Sequence, residues 1–350
     1  MRKSIFLAFI FSSMLAAAQS PAAKQGYRVS VIGFYNLENL FDTINDPKTN
    51  DEDFTPDGSL AYNSAIYKDK LAKLSQVVSE IGTDASPDGV AILGVAEIEN
   101  RKVLEDLVSQ PKLKNRGYRI VHYNSPDARG VDVGLLYNPK YFKVTGSKSL
   151  LVPLKNADGT PYYTRDVLWV SGILDGDTVH VFVNHWPSRR GGEEASAPGR
   201  AIAANVSKKV VDSLMAINPN TKVVIMGDLN DDPVSPSVTE VLGAKAKQDQ
   251  VQAGGLFNPW VDFYKKGIGT LAYQDSWNIF DQIIISSGFL NKDQSGYFYK
   301  AAHIYSREYM VTKTGKWKGY PMRTFDGVLY NGGYSDHFPT YTVYLKAVKN

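Results

Sequence analysis

Six short clusters of acidic, amide and histidine residues punctuate this chain. They are FYNLEN at Phe34–Asn39, VAEIEN at Val95–Asn100, VNHWPSRRGG at Val183–Gly192, MGDLNDDP at Met226–Pro233, WNIFDQIIIS at Trp277–Ser286 and YSDHFP at Tyr334–Pro339. Each abuts an apolar, β-branched run, where a strand fixes the backbone and a loop exposes polar atoms. Three carboxylates plus an asparagine amide, oxygen donors only, describe a hard-cation site. Cysteine is absent, which removes thiolate ligands and leaves Mg²⁺, Mn²⁺ or Ca²⁺ as natural occupants. Hydrolysis of a phosphate ester needs such parts: a divalent ion against the phosphate oxygens, a carboxylate to align or deprotonate water, and a histidine backed by a carboxylate.

Taken singly, the clusters have plainer explanations. Glu97, after the run VAILGVA, could cap a helix over Asn100–Val108. Asp228 and Asn230 could form an Asx turn bonding their own backbone. Asp336 and His337 could be a satisfied turn, and His185 a partly buried histidine held by backbone groups. The joint occurrence at the ends of separate strands favours one shared site.

The elements that must position these residues follow from periodicity. Strands are expected at Arg28–Tyr35, Gly89–Ala96, Val131–Tyr137, Val167–Leu174, Thr178–His185, Lys222–Met226, Asp281–Ser286 and Thr340–Leu345. The spacing of Tyr67, Leu71, Leu74, Val78 and Ile81 predicts a helix over Ser64–Ile81, and Ile202, Ala203, Val206, Val210 and Leu214 predict another over Gly199–Ala216. Strands that alternate with helices and also follow one another directly imply packed mixed sheets covered by helices in one domain. Long loops are expected at Asp46–Asn63 and Gly243–Ser276.

The start, MRKSIFLAFIFSSMLAAAQS, has a basic beginning, an apolar run from Ile5 to about Ala18 and small residues before Gln19, the layout of a secretory signal peptide over residues 1–18. That run is short for a membrane span. The expected product is exported, periplasmic or extracellular, with one domain over residues 26–350 and no stable membrane insertion. The chain holds 350 residues at 43% hydrophobic and 21% charged, enough for a full-sized core. Losing Arg2 and Lys3 leaves 37 basic against 36 acidic residues, a charge of +1. Bulk charge therefore advertises no polyanion, and any phosphate chemistry must come from local sites.

The clusters, in type and order, resemble the endonuclease/exonuclease/phosphatase superfamily, which contains pancreatic deoxyribonuclease, abasic-site endonucleases, sphingomyelinases and inositol polyphosphate phosphatases. The resemblance runs from Asn36 to His337, and the wording FYNLENLFD, NHWPSRRGGEEAS and GGYSDHFP is similar to exported members of Bacteroidetes type. It implies an α/β fold, a four-layered sandwich of two packed mixed β-sheets flanked by α-helices, deoxyribonuclease I-like, with the site at one edge. It also implies Asn36, Glu38, Glu97 and Asp336 as metal ligands and His185, Asp228, Asn230, Asp281 and His337 as catalytic. Asp281 would orient His337, Asp228 would align or activate water, and Asn230 would orient the phosphate. On a strict strand Asn36 and Glu38 share a face, whereas a bulge would separate them.

For substrate, Arg129, Arg189 and Arg190 are expected to grip phosphates, as is Arg200, with Tyr137 a further phosphate contact. The turn Ser188–Gly192 and the segment carrying Lys313, Lys316, Lys318 and Arg323 interleave charge with aromatic rings, which suits nucleic acid. The reading is therefore an exported Mg²⁺-dependent phosphodiesterase, foremost an endonuclease on DNA or RNA, with no protein partner implied. A phosphatase or phosphodiesterase of a lipid headgroup or small phosphorylated molecule stands as the alternative, and an inactive binding module of the same fold as the second. Gly255–Trp260 is a weak candidate for an apolar membrane hairpin.

Overall fold

Along β1 (Tyr27–Leu40) the side chains alternate as a two-sided strand demands. Ile32 and Phe34 turn into an interior shared by two sheets, while Val31 and Tyr35 turn outward beneath helices. The computed structural model describes residues 26–291 and 296–348. The signal-peptide segment lies outside the described residues.

The first sheet contains β1, β2 (Ile92–Ile98), β3 (Arg119–His122) and β4 (Asp132–Tyr137), together with the two late strands β11 (Phe298–Ile304) and β12 (Thr340–Ala347). Its order is β11-β12-β1-β2-β4-β3. The second contains β5 (Phe142–Leu150), β6 (Val167–Leu174), β7 (Asp177–His185), β8 (Lys222–Asp228), β9 (Leu256–Phe257) and β10 (Asp281–Ser286), in the order β9-β10-β8-β7-β6-β5. Within each sheet one central pair is parallel, β1 with β2 and β7 with β8, and the other pairings are antiparallel. A parallel pair needs a long crossover. Helices α1 (Ser64–Glu80) and α3 (Glu193–Ile217) lie in the two crossovers, and α2 (Arg101–Val108) follows β2.

The layers follow from burial. Val133, Leu135, Val170, Val181, Val183, Val224, Met226, Ile283 and Ile285 fill the space between the sheets. Leu71, Leu74, Val78, Leu104 and Leu107 of α1 and α2 cover the first sheet, and Ala203, Ala204 and Val211 of α3 cover the second. A Cβ at Gly94 would stand 2.5 Å from Met226 Sδ, so glycine there permits the close approach of β2 to β8. The architecture is the expected α/β sandwich of two mixed sheets.

Local chemistry sets the helix starts. Asn63 caps α1 by accepting the Ala65 and Ile66 amides, and Asn100 caps α2 by accepting that of Val103. Helix α3 starts at Glu193, six residues before the expected Gly199, and runs through Pro198. The Arg200 guanidinium donates to the Glu193 carbonyl at 2.8 Å and to Ser196 Oγ at 2.6 Å, tying together a first turn that a proline would otherwise weaken. Strands β3, β5, β9 and β11 were not anticipated, β9 lying within the expected loop Gly243–Ser276. The weak hairpin candidate at Gly255–Trp260 is not an exposed one: Leu256, Phe257 and Trp260 are buried in the core. No helix among the described residues is long and apolar enough to cross a membrane.

Candidate active site

The two parallel pairs dictate where the polar clusters meet. Strands β1, β2, β7 and β8 end at one edge of the sandwich, and β10 and β12, antiparallel to their neighbours, begin there. In register, Asp228 pairs with His185 on one side and Asp281 on the other. The backbone is unusual at this edge. The β1–β2 ladder slips between Asn36 and Leu40, and Glu38, Asn39, Glu97 and Asn230 adopt left-handed φ of 49°, 53°, 57° and 48°. Such a conformation costs about 1–2 kcal/mol per non-glycine residue. Local bonds hold it: Glu38 N to Asn36 Oδ1 at 2.9 Å, Asn39 N to Glu97 Oε2 at 3.1 Å, and Asn230 N to Asp228 Oδ1 at 3.0 Å.

Asp228 stands at the centre. Its Oδ2 accepts Asn36 Nδ2 at 3.0 Å and lies 3.8 Å from both His185 Nε2 and His337 Nε2. Beyond His185, Nε2 is 3.7 Å from Glu97 Oε1; beyond His337, Nε2 is 3.7 Å from Asp336 Oδ1. Buried Asp281 lies behind His337, with Nδ1 and Oδ2 2.7 Å apart. Ser335 locks this loop to β1 by accepting the His337 amide and donating to the Asn36 carbonyl. Asn230 Nδ2 donates to the Trp186 carbonyl at 2.9 Å.

The two histidines have opposite electrostatic surroundings. Burial depresses His185 well below the usual imidazole value, and the nearby charges of Arg165, Arg129 and His337 add to that. Burial alone would depress His337 too, but Asp281, Asp336 and Asp228 outweigh it and raise His337 well above the usual value. Burial pushes the Asp228 carboxyl up to about 6 against the pull of His337, with Asp281 adding to the rise. Two imidazoles whose proton affinities are pushed in opposite directions therefore face Asp228.

Two acidic groups can be weighed as a cation site. Asp228, Asp281 and His337 bring ligand atoms within 4.8 Å of one another, but the Asp281–His337 bond already occupies that pair. Glu97 keeps Oε1 clear of hydrogen bonds, Asp336 is partly exposed, and Glu38 and Asp336 lie near enough to repel each other electrostatically. As hard oxygen donors these carboxylates suit a divalent ion, and Asn36 Oδ1, which accepts the Glu38 amide, keeps a second lone pair for one. Glu38 is otherwise engaged: the bulge turns Oε2 onto Thr324 N and Oγ1, each at 2.7 Å, with buried Lys70 Nζ 4.0 Å away. Burial and then Asp336 raise its carboxyl to about 7. Any ligation by Glu38 would be through its other oxygen.

The outer candidates divide. Arg129 and Arg190 are exposed and line a cleft beside His185. Arg189 does not present a free fork. Its guanidinium bonds the Asn230 carbonyl, Glu193 and Asp232 and stacks 4.6 Å from Phe280, so it braces the Asn230 loop. Arg200 is buried against Asp231 at 2.6 Å. Tyr137 pairs with Ile92, at the start of β2 and the opposite end from Glu97, and packs on Phe142; the site does not include it. Sequence reasoning missed Lys70, Thr324 and Arg165 and gave Arg323 no place at the site. Arg323 bonds Asp336 Oδ2 at 2.6 Å, and Arg165 donates to the Trp186 carbonyl at 2.5 Å.

Similar solved structures share this framework at low identity. An endonuclease/exonuclease/phosphatase family protein from Bacteroides thetaiotaomicron is 15% identical with a TM-score of 0.54, over 92% of this chain and 100% of that one. D. rerio TDP2 complexed with single strand DNA product is 14% identical with a TM-score of 0.52, over 90% and 98%. The mannosyl-6-phosphatase of Bacteroides thetaiotaomicron is 15% identical with a TM-score of 0.52, over 91% and 100%. No curated protein matches the chain. A family model, Endonuclease/Exonuclease/phosphatase family, matches residues 31–346, and the chain belongs to that family of metal-dependent phosphoesterases.

Proposed function

We propose that the protein is an exported phosphodiesterase, dependent on Mg²⁺ or a similar divalent ion, that hydrolyses nucleic acid. The observation carrying the reaction is Asp228, a buried carboxyl set 3.8 Å from each of two imidazoles whose proton affinities are pushed in opposite directions. Asp228, with its oxygens fixed by the Asn230 amide and Asn36 Nδ2, takes a proton from the attacking water. His337, kept protonated by Asp281, gives one to the leaving oxygen. His185, kept neutral, hydrogen-bonds the phosphoryl group, and Asn230 orients it. Glu97, Asp336 and Asn36 would hold the ion, which supplies positive charge against the phosphate oxygens. The apolar leader at residues 1–18 supports export.

A second reading, a lipid-headgroup diester, is favoured by one feature. The hairpin Phe325–Tyr330, which begins two residues beyond Arg323 and its contact to Asp336, exposes Val328 and Leu329 at 62% and 73%. Purified residues 19–350 should be assayed on plasmid DNA, RNA, a phospholipid diester and a phosphomonoester, each with Mg²⁺, Mn²⁺, Ca²⁺ or EDTA. Metal-dependent cleavage of DNA or RNA is the expected result. Cleavage of only the lipid or the monoester would overturn the nucleic-acid assignment, and no turnover of any of the four would overturn the enzyme.

A further inference from the structure

A groove of ≈ 650 Å³ is walled by Pro187 and Ser188, two and three residues after His185. One carbonyl joins groove and reaction centre: Trp186 O accepts both Asn230 Nδ2 and Arg165 Nη2. Arg165 lines the groove, is 6% exposed, and carries an Nε with no hydrogen-bond partner. That Nε has no exposed surface, so what Arg165 offers the groove is positive charge rather than a free donor. The groove's carboxylate, Asp127, is already answered by the Arg129 amide and Arg165 Nη1. Arg129, Lys155 and Arg190 line the same groove exposed to solvent, and neither Lys155 nor Arg190 has a hydrogen bond or ion pair to the described residues.

Part of the lining is aromatic. Residues 154–162 form a short hairpin, with Leu154 paired to Tyr162, and Tyr162 and Tyr163 are each 51% exposed over the groove's rim. Such rings pack poorly as surface and well against flat partners. Cations and exposed rings lining one groove match a ligand that carries both phosphates and planar bases, and the bases are open to stacking only when unpaired.

Resting on the nucleic-acid reading above, we propose that this groove binds the single-stranded segment flanking the scissile phosphate, making unpaired polynucleotide the preferred substrate. Its cations neutralise successive phosphates while Tyr162 and Tyr163 stack on bases, so the tyrosines set strand preference without touching the reacting atoms.

The test separates binding from turnover. In EDTA, anisotropy of a fluorescein-labelled single-stranded oligonucleotide and its duplex is measured with wild type, with Tyr162→Ala/Tyr163→Ala and with Lys155→Ala, across a salt series. The tyrosine variant should weaken single-strand binding about tenfold or more with an unchanged salt slope, since stacking is worth ~1–3 kcal/mol per base. Duplex binding should change less than about threefold. Lys155→Ala should flatten the slope of log K against log salt by about 0.7, one phosphate contact fewer on a single strand. Equal single-strand affinity in wild type and the tyrosine variant would overturn the proposal, as would equal losses on duplex. Metal-dependent turnover of bis(p-nitrophenyl) phosphate reads the reaction centre alone and should survive the tyrosine substitutions. Turnover of that diester without groove-dependent binding sinks the groove and spares the diesterase; binding without any turnover does the reverse.

Discussion

Asp281→Asn isolates the part of the site that the fold positions most firmly. The bond it replaces, 2.7 Å from His337 Nδ1, is buried, and Asp281 Oδ1 has no partner of its own. A buried charge-assisted hydrogen bond contributes about 1.5–3 kcal/mol, or about one to two pH units in the proton affinity of the imidazole. His337 titrates above its usual value in the folded protein because its carboxylates outweigh burial, so removing one lowers it. The alkaline limb of kcat/KM should therefore move down by about one to two pH units. Removing the carboxylate behind a catalytic histidine costs about 10⁴ in kcat in a serine protease. Here Asp336 and Asp228 remain 3.7 and 3.8 Å from Nε2, so about 10²–10³ is expected. The raised imidazole stabilises the fold fully below its unfolded value near 6.5, and this contribution fades as pH rises through the folded value. The stability gap between wild type and variant should thus be widest in mild acid and narrow in base. A pH series of diester hydrolysis, with urea unfolding alongside, reads both. An unmoved alkaline limb together with kcat within about threefold would refute the role given to Asp281.

Two further outcomes probe the cation site and the frame. Glu97→Gln should weaken binding of Mg²⁺ or Mn²⁺ to the protein alone, read by titration calorimetry, by at least about tenfold, with circular dichroism unchanged; wild-type affinity would remove Glu97 from the ligand set. Asp177 accepts Lys222 Nζ and Lys346 Nζ at 2.8 Å and the Tyr297 amide at 2.6 Å. Burial alone would raise its carboxyl, but these partners outweigh it and hold the value below 3.8. Its stabilisation is present above that value and lost as pH falls through the depressed one. Because the lysines are part-exposed, Asp177→Asn should lower stability at pH 7 by about 1–3 kcal/mol, with the difference shrinking as pH falls through the depressed value; a gap unchanged by acid would assign the loss to something other than charge.

The strands that carry the site were legible because both their faces are buried or half-buried. Val167–Leu174 and Asp281–Ser286 match expectation to the residue. Strand β5, FKVTGSKSL, lies at a sheet edge with Lys143, Gly146 and Ser147 among apolar residues, which blurs the alternation. The pairing of His337 with Asp281 follows the expectation set by resemblance, whereas the fate of Glu38 depended on a bulge that no spacing reveals. Its partners, Lys70 and Thr324, are 32 and 286 residues away and belong to patterns that read as helix surface and loop. Lys70 in particular sits within an amphipathic helix where a lysine signals solvent, yet it is fully buried. Arg189 illustrates the converse: a guanidinium beside the site looks like a phosphate clamp until its donors are traced to Asn230, Glu193 and Asp232.

Strand β12 comes after every other described strand in chain order, yet it lies inside its sheet, between β11 and β1. Asp336 and His337 stand immediately before it, and Ser335 is bonded back to Asn36 near the opposite end of the sequence. The reaction centre is thus closed by a clasp whose two halves are about three hundred residues apart. A ribosome-bound or truncated chain that has emitted Asn36, Glu97, His185 and Asp228 still lacks the acid side of the pair. On the roles proposed for these residues, the chain stays inert throughout its own synthesis, and activity arrives with the last strand.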